Sequence, residues 1–468
     1  MGTDEMDRLP VVVIGAGPIG LAAAVHLVMR GEEPLVLEAG DGVGTSIRKW
    51  SHVALFSSWK YLMDPIASRM LESQGWRMPD PETAPTGGEF VERYLEPLAA
   101  LPEIASRIQL NARATALSRR GYDKVKSAGR DEVPFELMVR RDGGVTEKLL
   151  ARAVIDASGT YESPNPLGAN GLRVAGEDEA VEWMHYRIPD VRGRDRARFA
   201  GRRTVVVGSG HSAFNSLIEL AELAREEPGT EVIWAIRRQE PLQLFGGGER
   251  DALPVRGALG ARVRLLTESG IVKMETAFRA TDVVRSERGI VIVGDGRRMI
   301  GPVDEVVVAT GFRPELSLTR ELRLSLDSWL ESPVQLATLI DPNEHSCGTV
   351  YPHGAVELSH PEKGYYAVGM KSYGRAPTFL MLTGYEQVRS VACMLTGDEI
   401  GAREVHLVLP ETGVCSTSSG GSSCCALESS ATPAPLPGSC GIGSACAGPV
   451  TAPAIGGVIL GAADGCCA

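Results

Sequence analysis

Cysteine is missing from the first 346 residues of this chain. A stretch of that length supplies no disulfide and no redox-active thiol pair, so cysteine chemistry has to be sought in the remainder. Also missing is a basic stripe: the net charge is −11 and the Lys and Arg residues are dispersed, which argues against a nucleic-acid partner. A long apolar run is absent too. Near the end, the apolar stretch Val450 to Ala463 is interrupted by Gly and Pro, and it falls short of the ~20 residues that a membrane-spanning helix needs. Asp4, Glu5 and Asp7 are the wrong chemistry for a secretory or transit segment. The expectation is a soluble cytoplasmic protein. Its 468 residues suffice for two or three nucleotide-sized domains, and 54 Gly with 29 Pro is not enough to make the whole chain disordered.

What is present begins with a strand pattern, Leu9 to Ile14, running into Gly15-Ala16-Gly17-Pro18-Ile19-Gly20 and then a helical pattern to Arg30. Pro34 to Leu37 reads as the next strand and Glu38 closes it. The three glycines serve different ends. Gly15 permits the tight turn, Gly17 lets backbone approach a pyrophosphate, and Gly20 lets the helix pack close to the strand. The helix N-terminus offers amides and a positive dipole to phosphates, with Pro18 at its first turn. Glu38 suits ribose hydroxyls and would repel a 2′-phosphate. Given the complete strand, turn, helix, strand and acid, this is a dinucleotide site and not an accidental glycine turn.

A second fingerprint follows Arg203. Thr204 to Val207 is the strand, Gly208-Ser209-Gly210-His211-Ser212-Ala213 the turn, and Phe214 to Arg225 the helix, with Ala213 in the third glycine's place. The next strand, Glu231 to Ile236, ends in Arg237 and Arg238 instead of an acid. Two guanidiniums there can grip a 2′-phosphate through forked, charged hydrogen bonds, which favours NADPH over NADH. The alternatives stay open: the arginines cap a solvated strand end, Trp234 beside them is core, and His211 faces either the nicotinamide or its packing neighbours.

Val154-Ile155-Asp156-Ala157-Ser158-Gly159-Thr160 and Val306-Val307-Val308-Ala309-Thr310-Gly311 resemble the paired ATG-type segments of the two-dinucleotide flavoproteins, where the chain crosses between FAD and NADPH domains. The resemblance implies an α/β fold of two Rossmann-like dinucleotide-binding domains of the three-layer ββα type. Residues 1–170 and 305–410 would form a discontinuous FAD domain, 175–300 the NADPH domain, and 416–468 a flexible tail, with Gly311 and Gly369 among the cofactor contacts.

Disulfide reductases of this superfamily place a Cys pair against the flavin, either after the first motif or inside the NADPH domain. This chain has no cysteine in either place, so that chemistry in its standard form is excluded. The chain resembles the flavin-containing monooxygenase branch, in which NADPH reduces FAD and dioxygen reacts with the reduced flavin. More narrowly it is similar to flavoproteins encoded with bacterial arsenic-resistance genes, through Gly364 to Phe379, the segment Thr383 to Val388, and Leu409 to Cys415. It departs from the better-known monooxygenases at their FxGxxxH linker, where His185-Tyr186-Arg187-Ile188-Pro189-Asp190 stands instead. An oxidase, or a reductase of a small acceptor, stays open, as does a homodimer.

Flavin chemistry of this kind needs a dry, positively biased pocket. Arg48, Lys49, Trp50, His52 and Ser57 follow the first ribose-binding strand, with Arg48 the candidate for a flavin or pyrophosphate contact and His52 for proton transfer; His52 could equally serve the fold. On the other side the resemblance puts Gly369 to Arg375 over the ribityl chain and flavin, with Lys371 and Arg375 supporting the anion that develops on reduction and the helix from about Phe379 adding its dipole. The alternative for both cations is a surface loop. Tyr373 is placed to stack or shape the pocket. Cys347, near His345 and His353, either binds a soft ion, forms a mixed disulfide, or is an inert buried thiol.

From Ser416 the composition shifts to Gly, Ser, Ala and Pro, and Glu428 and Asp464 are its only charges, the signature of a disordered segment. Its vicinal pairs Cys424-Cys425 and Cys466-Cys467 suit thiophilic ions such as As(III), Hg(II) or Cu(I), and Gly465-Cys466-Cys467-Ala468 resembles the terminus of mercuric reductases. Low-complexity drift is the competing explanation. Three readings follow: an NADPH-dependent FAD monooxygenase linked to arsenic or another metalloid, a metal or thiol reductase using Cys347 and the tail, and a metalloid-binding sensor or chaperone with a structural flavin.

Overall fold

The computed structural model describes residues 6–240, 242–245, 254–345 and 350–407. Its first half opens with β1 (Val11–Ile14), α1 (Pro18–Val28), β2 (Pro34–Leu37) and β3 (Ile108–Gln109). Three antiparallel strands follow, β4 (Ala112–Arg119), β5 (Phe135–Arg141) and β6 (Thr146–Ala151), and β7 (Ala153–Asp156) then returns beside β1. The second half repeats the plan: β8 (Met184–His185), β9 (Arg203–Val207), α2 (His211–Glu226), β10 (Glu231–Ala235), α3 (Pro254–Glu268) and β11 (Val272–Glu275). Antiparallel β12 (Ala280–Ser286), β13 (Gly289–Gly294) and β14 (Arg298–Val303) come next, and β15 (Glu305–Val308) returns beside β9. The chain finally crosses back through β16 (Tyr365–Ala367) and α4 (Met381–Leu395).

Both parallel sheets have five strands and equivalent orders, β16-β7-β1-β2-β3 and β11-β10-β9-β15-β8. Their apolar runs are continuous because both faces are covered, as buried parallel strands require. In the first sheet Val11 and Val13 face α1 and α4, whereas Val12 and Ile14 face Leu117, Phe135 and Leu137 of the three-stranded sheet. In the second, Val206 and Val232 pack towards α2 and α3, while Val205 and Ile233 meet Ile290, Ile292 and Ile300. Helices, parallel sheet and antiparallel sheet thus make the expected three layers twice, by the period-2 alternation of each strand.

One boundary moves. The sequence pattern starts the second part of the first domain at residue 305, but β15 pairs with β9 in parallel register, Val306 against Val205, so the return to the first domain comes after Val308. The strand's own apolar run, Val306 to Val308, could have served either sheet. The described residues all fall within one compact unit.

Two close approaches set the site. Gly384 in α4 stands where a Cβ would lie 2.5 Å from Ile19 Cδ1, which lets α4 close on α1. Glu362, just before β16, is buried between the guanidiniums of Arg119 and Arg130 at 2.7 and 2.8 Å. Burial pushes its carboxyl up, but the two arginines outweigh this and hold it below the ordinary carboxylate value. That triad ties the antiparallel sheet to the returning segment; removing one partner would leave an uncompensated buried charge.

Candidate functional site

At the first turn Gly15 has φ +100, and a Cβ there would come within 2.8 Å of the Ala157 carbonyl oxygen. Gly20 is tighter still, its added Cβ falling 1.9 Å from the Gly15 carbonyl oxygen. Gly17, the residue preceding α1, faces open space, and a Cβ would meet nothing within 4 Å. A side chain there would fill the volume a pyrophosphate needs. Glu38, at the end of β2, accepts hydrogen bonds from Ala16 N at 2.8 Å and Gly40 N at 2.9 Å. An ionised carboxylate has about four lone-pair sites, so acceptor capacity remains for two ribose hydroxyls. These features fit FAD.

A cavity of about 430 Å³ runs from this turn, and Gly15, Gly17, Pro18 and Glu38 share its lining with Gly369 and Lys371. Gly369 (φ +66) is held from α4 by Gln387, whose side-chain oxygen accepts from Gly369 N at 2.7 Å. Phe379 and Met381, at the start of α4, also line the cavity, so the helix N-terminus is presented to it. Lys371 is not a surface loop charge. Its Nζ lies 2.7 Å from Asp156 Oδ2 and 3.0 Å from Ser158 Oγ, and both Lys371 and Asp156 are buried. Tyr365 OH donates to the same Oδ2 at 3.1 Å, while Ser158 donates through N and Oγ to Oδ1. Burial pushes the Asp156 carboxyl up; Lys371 and Ser158 together prevail and leave it below its ordinary value. The network fixes the crossover loop Ala157-Ser158-Gly159 against the cavity.

The second turn reproduces the first with different chemistry. Gly208 has φ +131, and its added Cβ would fall 2.1 Å from the Ala309 carbonyl oxygen, matching the pairing of Gly15 with Ala157. Gly210 precedes α2 as Gly17 precedes α1, with the same open space. Ala213 is buried in Gly20's place. Trp234 is core: its Nε1 donates to the Gly208 carbonyl at 2.7 Å and props the turn. Arg237 is exposed and Arg238 half-buried, and neither guanidinium has an ion pair among the described residues. His211 stacks on Phe56 from the first half, ring centroids 4.6 Å apart.

Other candidates lie elsewhere. Arg48 points away from the cavity, bonded to the Val43 carbonyl and to Glu96, while its neighbours Lys49 and Trp50 line it. His52 is bonded to the Pro189 carbonyl at 3.2 Å, in the segment between β8 and β9 of the second half. Arg375 is exposed beside Gly171 and is not part of the cavity lining. Tyr373 is fully buried and packs edge-on to Phe379 at 5.2 Å, and His353, whose imidazole burial holds below its ordinary pKa, bonds the Tyr351 carbonyl. Cys347 and the tail residues Cys424, Cys425, Cys466 and Cys467 lie outside the described residues. Among those described, no group of three metal-ligating side chains comes together, and no helix is long and apolar enough to cross a membrane. Sequence reasoning passed over Asp156, Ser158, Tyr161 and Gln387 as functional groups; the ATG-type crossover was the one signal that could have drawn attention to the first three.

Comparison with known proteins agrees with this geometry. The family model for pyridine nucleotide-disulphide oxidoreductases matches residues 12–338. Indole-3-pyruvate monooxygenase YUCCA1 of Oryza sativa subsp. japonica is 30% identical over 215 residues, 45% of this chain and 44% of that protein, so the match spans less than half of that relative. A ferredoxin--NADP reductase of Saccharopolyspora erythraea is 25% identical over 335 residues, 68% of this chain and 78% of that protein. Among solved structures, the bacillithiol disulfide reductase Bdr (YpdA) of Bacillus cereus superposes with a TM-score of 0.60 at 19% identity, covering 84% of this chain and 99% of that one. A variant of a flavin monooxygenase from Stenotrophomonas maltophilia gives 0.53 at 22% identity, over 83% and 98%. With two complete dinucleotide turns, one closed by an acid and the other by paired arginines, the chain belongs to the pyridine nucleotide-disulphide oxidoreductase family, as a flavoprotein oxidoreductase whose cofactors are FAD and NADPH.

Proposed function

We propose that this chain is an NADPH-dependent monooxygenase of small molecules. The observation that carries the reading is the chemistry of the cavity wall: none of its lining residues is a cysteine, and no residue before 347 could be one. Bound FAD supplies a carrier that takes hydride from NADPH and passes electrons to dioxygen. The chain's own part is to hold and shield. Glu38 and the Gly17 amide region secure the adenosine end, the Lys371–Asp156 pair immobilises the Ser158 loop, and the α4 N-terminus favours negative charge. Arg237 and Arg238 select the 2′-phosphate.

The resemblance carried by Gly364 to Phe379 makes arsenic or another metalloid compound the substrate class to test first, with the tail cysteines as a capture device for it. Mixing the NADPH-reduced enzyme with oxygenated buffer tests the core of the reading. A delayed return of oxidised-flavin absorbance, with peroxide released only in a late phase and suppressed when arsenite is converted, is expected. Peroxide released from the first moment, equal to the NADPH consumed under every condition, contradicts it. Relatives named ferredoxin--NADP reductases support a second reading, which fast ferredoxin reduction in place of oxygen uptake would favour.

A further inference from the structure

On the wall of this same cavity, beside the segment between β8 and β9, stands a cluster outside the two glycine turns. Tyr161 and Phe312 follow the equivalent crossover glycines Gly159 and Gly311, and their rings stack with centroids 5.4 Å apart. The Arg187 guanidinium lies over the Tyr161 ring, 4.9 Å from its centroid. Lys49 reaches in from the other side, its Nζ 2.5 Å from Glu162 Oε1. Lys49, Tyr161 and Glu162 line the cavity, and Arg187 stands behind them, against the Tyr161 ring and Glu162.

The hydrogen bonding of this cluster is incomplete. Arg187 has five N–H donors, yet its contacts are Nη2 to the Tyr161 carbonyl at 3.5 Å and to Glu162 Oε2 at 3.4 Å, both at the long limit for such bonds. Its Nε is buried with no partner, and so is the Tyr161 hydroxyl. Burial pushes that hydroxyl's pKa up to about 12, which keeps its proton in place as a donor at neutral pH. Around a single carboxylate, Glu162, stand two cations and a phenol, a net charge of plus one with donors to spare. Such a fork recognises planar and tetrahedral oxyanions.

We propose that Arg187, Lys49 and Tyr161 form a subsite for the oxyanionic head group of the substrate, a carboxylate or an arsonate, and that Glu162 is an internal carboxylate competing for the same donors. The inference rests on the monooxygenase reading and names the substrate class within it. Tyr161 and Phe312 supply an apolar, aromatic side to the subsite, so aromatic acids are the natural probes.

The test is a titration of the FAD-loaded full chain with benzoate, phenylarsonate and neutral benzamide, following the flavin difference spectrum. Both anions perturb the spectrum saturably and benzamide does not; the tighter anion identifies the head group. Arg187→Met weakens anion binding about tenfold or more, Arg187→Lys less, and Tyr161→Phe about threefold. Glu162→Gln, in contrast, tightens it, a direction that a merely structural role for Glu162 would not give. Binding of benzamide equal to benzoate, no perturbation by either anion, or weaker binding in Glu162→Gln overturns the subsite. If Arg187→Met loses its flavin, Tyr161→Phe and Glu162→Gln still decide. Bleaching of the same samples by NADPH is read separately: its loss in the parent protein strikes at the oxidoreductase reading, its survival without anion binding strikes at the subsite alone.

Discussion

The two dinucleotide turns are nearly the same object in backbone and opposites in charge. Gly15 faces the Ala157 carbonyl as Gly208 faces that of Ala309, and Gly17 and Gly210 leave the same open space. Beyond the second strand they part: Glu38 is buried and pinned by two amides, whereas Arg237 and Arg238 reach solvent. The difference teaches that the backbone fixes where a pyrophosphate sits, while the residue closing the strand decides which dinucleotide is admitted. A carboxylate with spare lone pairs suits an unphosphorylated ribose, and paired guanidiniums suit a phosphorylated one.

The largest way to break the comparison is Lys371→Met, since the second turn has no counterpart of the Lys371–Asp156 pair: Val308 stands at the place of Asp156. Leaving Asp156 buried and unpaired should cost about 3–5 kcal/mol, read by thermal or urea unfolding. The pair also has a pH signature. Because the folded Asp156 carboxyl titrates below its unfolded value of about 3.9, its contribution is full above that value and is lost as pH falls further. In Lys371→Met burial prevails and raises the Asp156 carboxyl, so the deficit against the parent protein should shrink as pH falls and the carboxyl takes up a proton.

Next is Gly20→Ala, whose Cβ would meet the Gly15 carbonyl oxygen at 1.9 Å. About 1–3 kcal/mol of strain is expected, with diminished FAD retention after gel filtration, although the second turn carries Ala213 at the same place. The mirror change, Ala213→Gly, should cost only about 1 kcal/mol, through helix propensity. Replacing both Arg237 and Arg238 by Ala should reduce the NADPH over NADH preference in flavin reduction by about ten- to a hundredfold. An unchanged preference would refute the role given to that strand end.

A smaller effect is expected in β8. Burial lowers the His185 pKa to about 4. Between its unfolded value of about 6.5 and that pH the unfolded chain binds more protons, so stability should fall as pH drops through this window. His185→Gln should flatten that slope.

What could be read ahead of the structure was local. The demands of Gly15, Gly17 and Gly20 arise within six residues, so both turns followed from the sequence, while the layered fold was implied by the resemblance of the paired ATG-type segments. Side-chain direction was not legible. Arg48 ends a short helix, Thr45–Arg48, and Lys49 caps it; the Val43 carbonyl and Glu96 hold Arg48, while Lys49 lines the cavity. Lys371 and Asp156 are 215 residues apart, and their pairing depends on β16 lying beside β7. The same holds for Tyr161, after β7, and Arg187, after β8, which meet only once the two halves are folded. A strand of valines, Val306 to Val308, carries no mark of which sheet it completes, and β15 pairs with β9.

The central claim is that NADPH electrons reach the flavin and leave it without a thiol relay. Anaerobic titration of the FAD-loaded chain with NADPH tests this most directly. One equivalent of NADPH per flavin should bleach the absorbance completely, with no charge-transfer band and no uptake of a second equivalent. Two equivalents taken up before full bleaching, with thiols newly titratable afterwards, would contradict the account and place the chemistry on a disulfide among the cysteines from Cys347 onward.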